Sequence, residues 1–327
     1  MATMIRRGVA ALDKLAVTSE GDGESVAEVT SVGQPLEWSD AMLPERPRPR
    51  EQRRILSMNS RDAQLSAQAA HDQERAIADV QAHLKSRHFK PLEALSYAAR
   101  IVAHHGHESG LAGQISARTG ELHRYWTLRL GLGFEEATPD SFIVVDDELQ
   151  RVDDPNSTRA GPGMPNPATR FHLWVYRARP DLNCIVHTHP PYVSALVATG
   201  QPLIVAHMDA AMFHDDIGHL PDWPGLPVGD NEGEVISAAL GADKHALMLS
   251  NHGMLTAGAT IAEATYLAVF IERAARMQLR AMAVGTMKPL SAELARPARE
   301  FLRTMPIIDA SFDYWARQVD RAQAAHR

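Results

Sequence analysis

The sequence predicts a layered α/β domain in which helices cover both faces of one sheet, and three observations carry that reading. Two short apolar runs, Cys184-Ile185-Val186 and Ala246-Leu247-Met248-Leu249-Ser250, have the length and bounding turns of buried strands. Around them lie segments with helix caps and a 3.6-residue apolar period. The two kinds alternate irregularly, with no fixed-period repeat along the chain.

Residues 1 to about 58 lack sustained periodicity. They include Gly21-Asp22-Gly23-Glu24-Ser25 and Leu43-Pro44-Glu45-Arg46-Pro47-Arg48-Pro49-Arg50, where alternating proline and arginine opposes helix and sheet and favours a polyproline-like path. The stretch 1–58 reads as an N-terminal arm, either extended or partly disordered, or wrapped on a neighbouring subunit. A main domain is expected over 59–290 and a C-terminal helical segment over 291–327, the latter packing as a terminal helix or closing over a neighbouring site.

Asp62 to Lys85 is rich in Ala and Gln, and Pro91 to His105 is again rich in Ala, so both are expected as helices. Polar groups and glycines then run from His104 through Gly106, Gly110 and Gly113 to Gln114, ahead of the alternating strand Ile115-Ser116-Ala117-Arg118. Such a connection serves as a plain turn or lets backbone N–H groups approach an anion. Phe142 to Val145 reads as a strand, with Asp146-Asp147-Glu148 as its turn.

Asn166 offers an N-cap and Pro167 a first helical residue for a helix whose Phe171, Trp174, Val175 and Ala178 form an apolar stripe. Arg179-Pro180-Asp181 ends it. After the strand at 184, Pro190-Pro191 starts another helix that stops at Gly200. Thr260-Ile261-Ala262-Glu263 is a capping box opening a long helix to about Ala283, on whose exposed side Glu272 and Arg276 are expected to pair.

A chain of 327 residues suffices for one large domain or two smaller ones. Its net charge of -7 indicates no basic surface for nucleic acid or anionic membrane, so small molecules are the expected partners. No apolar stretch approaches the roughly 18 residues of a membrane span, and the first 15 residues lack the apolar core of a secretory signal. The cytoplasm is the expected location. The single cysteine, Cys184, has no internal disulfide partner and reads as a small core hydrophobe.

Candidate chemistry sits at the strand ends. His187 and His189, two residues apart, project to one side of a strand and are placed to hold one ion together. His252, closing the second apolar run, would complete a three-histidine site with open coordination positions. Imidazole suits zinc, iron, manganese or cobalt, so one divalent transition metal per chain is expected without a choice among them.

The order Gly110-Leu111-Ala112-Gly113-Gln114-Ile115-Ser116-Ala117-Arg118, Arg179-Pro180-Asp181, His187-Thr188-His189 and Asn251-His252-Gly253, followed by Glu263-Ala264, resembles the class II aldolase/adducin family over about residues 92 to 285. The resemblance implies a three-layer α/β/α fold around a mixed, largely antiparallel sheet. It also implies a homo-oligomer, commonly a tetramer, with sites between subunits, and His187, His189 and His252 as metal ligands.

One departure bears on the reaction. Sugar-phosphate aldolases of this family carry an acid/base glutamate in a run resembling Glu-x-Arg-Phe-His, where this chain reads Ala168-Thr169-Arg170-Phe171-His172. A methyl group moves no proton. Gln114 also replaces the usual asparagine, and Ala206-His207-Met208 stands near the position of a tyrosine that acts in the neighbouring subunit. The expected activity is a metal-dependent carbon–carbon lyase acting through an enolate, by decarboxylation of a hydroxylated aromatic or keto acid or by retro-aldol cleavage. Alternatives are a non-heme iron oxygenase and a non-catalytic adducin-like interaction domain. Glu108, His172 and His207 are the candidate catalytic groups, with His107 and His214 behind them. Gly113, Gln114, Ser116 and Arg170 are the candidate contacts to a carboxylate or carbonyl substrate, and Arg118 is a further candidate partner for its carboxylate.

Overall fold

A computed structural model describes residues 68–107, 109–153 and 161–325. The expected arm 1–58, the start of the first expected helix and Glu108 lie outside the described residues. After a helix over 68–83 (α1), the elements are α2 (Pro91–Val102), β1 (Gln114–Arg118), β2 (Tyr125–Leu128), β3 (Phe142–Val145), α3 (Arg170–Ala178), β4 (Cys184–Thr188) and α4 (Pro191–Ala198). Then come β5 (Ile217–Leu220), α5 (Asp230–Leu240), β6 (Ala246–Leu249), β7 (Gly253–Gly258), α6 (Ile261–Met282), α7 (Ala292–Leu302) and α8 (Met305–Ala325).

Seven strands form one sheet in the order β3-β2-β1-β4-β7-β6-β5. Every pair is antiparallel except β5 with β6. The expected mixed, largely antiparallel three-layer α/β/α architecture is therefore the one present. Alternation of side chains splits the core in two. Cys184 and Val186 of β4 point into an apolar layer shared with α2, α4, α6 and α8. Ile185 points the other way, towards Phe171, Leu173 and Val175 of α3 and Ile236 and Leu240 of α5. Cover on both faces goes with the continuous apolar runs Cys184–Val186 of β4 and Ala246–Leu249 of β6. No helix among the described residues is long and apolar enough to cross a membrane.

Several local rules hold as read. Asn166 accepts from the Ala168 N–H, although the first turn it caps is a 3-10 turn, Pro167–Thr169, that runs into α3. Thr260 accepts from the Glu263 N–H at the start of α6, while the Glu263 carboxylate takes the Ala259 N–H. The C-terminal segment packs on the domain, with Ile308, Phe312 and Trp315 of α8 inside the larger apolar layer.

Two expectations are corrected. The apolar stripe assigned to α3 is misplaced: Ala178 is exposed and Trp174 half-buried, while His172, Leu173 and Tyr176 are buried. The helix is enclosed by the sheet below and α5 beside it, so more than one narrow face is covered. Gly233 of α5 makes room for this, since a Cβ there would collide with the Trp174 indole. Glu272 is also not on the exposed side of α6. It is buried, and its carboxylate accepts the backbone N–H groups of Tyr192 and Val193 at 2.9 and 2.8 Å. It thus satisfies donors at the N-terminus of α4 that would otherwise be left unpaired. Proximity of two helices distant in sequence decides this, which i,i+4 spacing does not reveal.

Candidate metal centre

Strand β4 delivers His187 to the α3 side of the sheet, where the edge of its ring meets Phe171 with centroids 5.0 Å apart. Its Nδ1 donates to the Met254 carbonyl on β7 at 2.8 Å. That bond fixes the tautomer and leaves Nε2 as a bare lone pair. His189 follows just beyond the strand, its Nε2 3.0 Å from that of His187. His252 comes from the β6–β7 turn, where Asn251 adopts φ 57° to bring the ring round. Its centroid lies 4.8 Å from that of His187 and 4.6 Å from that of His189.

Ligand atoms of the three histidines lie within 4.8 Å of one another. Two nitrogens bound tetrahedrally at ~2.0–2.1 Å to one ion would be roughly 3.3 Å apart; His187 and His189 stand near that spacing, and a single divalent cation would draw the third ring in. His187 is buried, whereas His189 and His252 are partly open, which leaves one side accessible to a substrate. Electrostatics favour the same use. Burial, then the neighbouring imidazoles, hold His187 well below the ordinary histidine range. Burial lowers His189, and burial with the nearby His189 lowers His252 to about 4. All three are neutral at pH 7, the form that ligates a metal.

Glycines allow the strands to close around this cluster. A Cβ on Gly253 would fall against the Thr188 carbonyl and 2.7 Å from His189 Cδ2. One on Gly113 would sit 2.8 Å from the Phe134 ring and 3.4 Å from the His187 carbonyl oxygen.

The other candidate residues divide by position. Gln114 is the ladder partner of His187 and shares its face. Its Nε2 donates to the Ala112 carbonyl at 2.5 Å, and its buried Oε1 has no hydrogen-bond partner. Ser116 is fully buried, bonded to His172 Nδ1 at 2.8 Å and to the Tyr176 hydroxyl at 3.0 Å. His172 is likewise buried, lowered to about 3 by that burial, with Nε2 unpartnered. Arg170 lies partly exposed at the start of α3, 3.4 Å from Asp230 and from the Glu148 carbonyl. Arg118 gives its guanidinium to the Leu182 and Tyr176 carbonyls and so closes the end of α3. His207 is exposed and caps a 3-10 turn, Met208–Phe213, lining a cavity of about 320 Å³ with Met277 and Met287 that contains none of the three clustered histidines. His214 lies beside Asp215 at the end of that turn. His107 is fully buried, against Thr188 Oγ1 at 2.8 Å. Thr169, whose buried hydroxyl also lacks a partner, escaped the sequence reading. Its place directly before Arg170, at a helix start on the β1 side, was the available signal.

With this fold and cluster in view, the family follows. The chain belongs to the class II aldolase and adducin family, whose model, Class II Aldolase and Adducin N-terminal domain, matches residues 93–279. It is 32% identical over 221 residues to 4-hydroxy-3-prenylphenylpyruvate oxygenase/4-hydroxy-3-prenylbenzoate synthase of Streptomyces roseochromogenus subsp. oscitans, covering 67% of this chain and 75% of that protein. Decarboxylase NovR of Streptomyces niveus is also 32% identical, over 67% of this chain and 77% of its own length. Among solved structures, L-fuculose 1-phosphate aldolase from Glaciozyma antarctica PI12 superposes with a TM-score of 0.64 at 26% identity, covering 74% of this chain and 96% of that one.

Proposed function

We propose that this chain is a divalent-metal-dependent lyase that breaks a carbon–carbon bond beside a carbonyl or enolisable hydroxyl, with decarboxylation of a hydroxylated aromatic or keto acid favoured over retro-aldol cleavage. The convergence of His187, His189 and His252 within 4.8 Å carries this reading. A bound zinc, iron, manganese or cobalt ion, one per chain, would supply electrostatic stabilisation for negative charge developing on substrate oxygens.

Ala168 favours decarboxylation of the two cleavages. In retro-aldol cleavage a base must first remove a hydroxyl proton, and the side chain at 168 has no basic atom. In decarboxylation the C–C bond breaks with carbon dioxide as the leaving group, its electron pair is delocalised onto the adjacent carbonyl, and one proton then reaches carbon. Only that last step needs an acid. We assign it to Glu108, which lies between α2 and β1 in the sequence. His172 stays neutral at pH 7 and acts as a positioning residue through Ser116 and α3. Gln114 Oε1 and Thr169 Oγ1 are the unpaired polar atoms available to orient a substrate carboxyl or hydroxyl. The relative named as a decarboxylase supports this choice. The relative whose name includes oxygenase favours a second reading, iron-dependent oxygenation of an aromatic or keto acid on the same triad. Either way the protein is read as a cytoplasmic homo-oligomer, a tetramer with sites between subunits, acting on small carboxylates or carbonyl compounds.

Carbon dioxide release from a panel of hydroxylated aromatic carboxylates and aryl keto acids, followed with and without oxygen, tests the proposal. Oxygen-independent release lost in His187→Ala is the expected result. Strictly oxygen-dependent turnover would replace it with the oxygenase, and no turnover by metal-loaded protein across the panel would support the adducin-like, non-catalytic alternative.

A further inference from the structure

Behind the triad, on the opposite face of β4, stands a second imidazole that packing alone does not require. Thr188 lies between His187 and His189, and strand alternation sends its side chain away from theirs, into the layer under α6. There its hydroxyl meets Nδ1 of His107 at 2.8 Å. His107 is fully buried, and burial lowers it to about 3, so the ring is neutral. Its Nε2 has no hydrogen-bond partner, so the Thr188 hydroxyl is the polar group that holds the ring.

The local backbone is built for this contact. Leu95, Ala98, Ala99 and Val102 form the buried stripe of α2, whose period would next bury residue 105 or 106. Instead the helix widens into a π turn over Ala103–His107, and Gly106 takes φ 88°. The inward position passes to His107, while His105 turns against the Trp315 ring. A π turn is a rare interruption, often found beside functional sites. A leucine or phenylalanine would fill the same space without the cost of burying polar nitrogens.

We infer that His107 is a positioning residue for the metal pair: it ties the π turn after α2 to Thr188 and thereby sets the backbone from which His187 and His189 reach a shared ion. The need is local. Thr188 is the last residue of β4 with a ladder partner, Met254, and His189 beyond it has none. The hydroxyl–imidazole bond is the side-chain anchor nearest that free end. This assigns His107 a place behind the strand and excludes it as a proton carrier to a substrate on the triad's face. The inference rests on the metal-site reading above.

The test is a competition titration of cobalt(II) against a chromophoric chelator, using metal-stripped full-length protein, with the cobalt absorption spectrum as signature. His107→Phe is expected to bind cobalt about tenfold or more weakly and with an altered spectrum, within the range known for groups supporting ligands from behind. Thr188→Val should do the same, the double variant should lose no more than either single one, and His107→Gln should restore most of the affinity. Melting of the metal-free variants checks folding, and Thr188→Val replaces His107→Phe if the latter does not fold. Wild-type affinity and spectrum in Thr188→Val or a folded His107→Phe would overturn the inference alone. A wild-type protein that binds no cobalt would overturn the metal-site reading and this inference with it.

Discussion

Strand β6 has a histidine outside each end, and the two ends of this strand handle buried polarity in opposite ways. At the start, His245 meets Asp216, whose fully buried carboxylate also takes the Arg303 and Arg299 guanidinium groups. Arg303 continues to Glu263 at 2.5 Å, so the cluster pins α7 to β5 and to the start of α6. Each charge there has an opposite charge. At the other end, His252 faces His187 and His189, and their nitrogens converge on one another without any carboxylate among the described residues of the cluster. Paired charges hold a fold together. Converging ring nitrogens that face one another and no charged partner mark a place for something brought from outside.

The largest expected effect separates the two ends directly. His252→Ala should lower metal affinity by several orders of magnitude while changing the melting temperature of metal-free protein little, because it removes a half-buried neutral ring and no paired charge. Arg303→Met should show the reverse. It leaves Asp216 and Glu263 without their main partner and should destabilise the fold by about 3–5 kcal/mol in chemical denaturation, with metal affinity preserved in the folded fraction. An Arg303→Met protein that unfolds normally but binds no metal would show that the two ends are coupled.

Next in size is Gly253→Ala. The added methyl meets the Thr188 carbonyl and His189, so the strand must shift, at a cost of about 1–3 kcal/mol, and metal affinity should fall with stability. A variant that lost stability but kept full metal affinity would show that the cluster tolerates movement of β7.

Acid sharpens the contrast further. His107 and His172 are lowered to about 3, and His105 and His252 to about 4, all chiefly by burial. Their folded pKa values lie below an unfolded value of about 6.5, so between pH 6.5 and 4 the unfolded chain binds protons that the folded chain does not. The contribution is fully present above about pH 6.5 and is lost progressively as pH falls through 4 for His105 and His252 and through 3 for His107 and His172. Metal-free protein should therefore lose stability on going from pH 7.5 to pH 5, measured by denaturant titration. Zinc should add a further pH dependence of its own, since ligand protonation competes with binding. Stability unchanged at pH 5 would mean that these rings are open to water in solution.

The triad was legible in the sequence because its signal is short-range: a two-residue spacing on one strand face, and a second apolar run ending in histidine. Helix caps at Asn166 and Thr260 were legible for the same reason. What escaped depends on pieces distant in sequence. Glu272 looked like half of a surface pair and instead caps α4, some 80 residues away. Arg118 looked free for a substrate carboxylate and closes the end of α3. The Asp216 network joins four elements and leaves no spacing to recognise. His107 was shifted inward by one π turn, which an uninterrupted helical period misplaces.

The most direct test of the central claim is crystallography of protein purified without chelator, with anomalous data collected at the absorption edge of the metal found by elemental analysis. One anomalous peak per chain is expected, within bonding distance of ring nitrogens from His187, His189 and His252, and lost in His187→Ala. Full-occupancy metal bound elsewhere, or a triad empty in crystals grown with excess zinc, would contradict it.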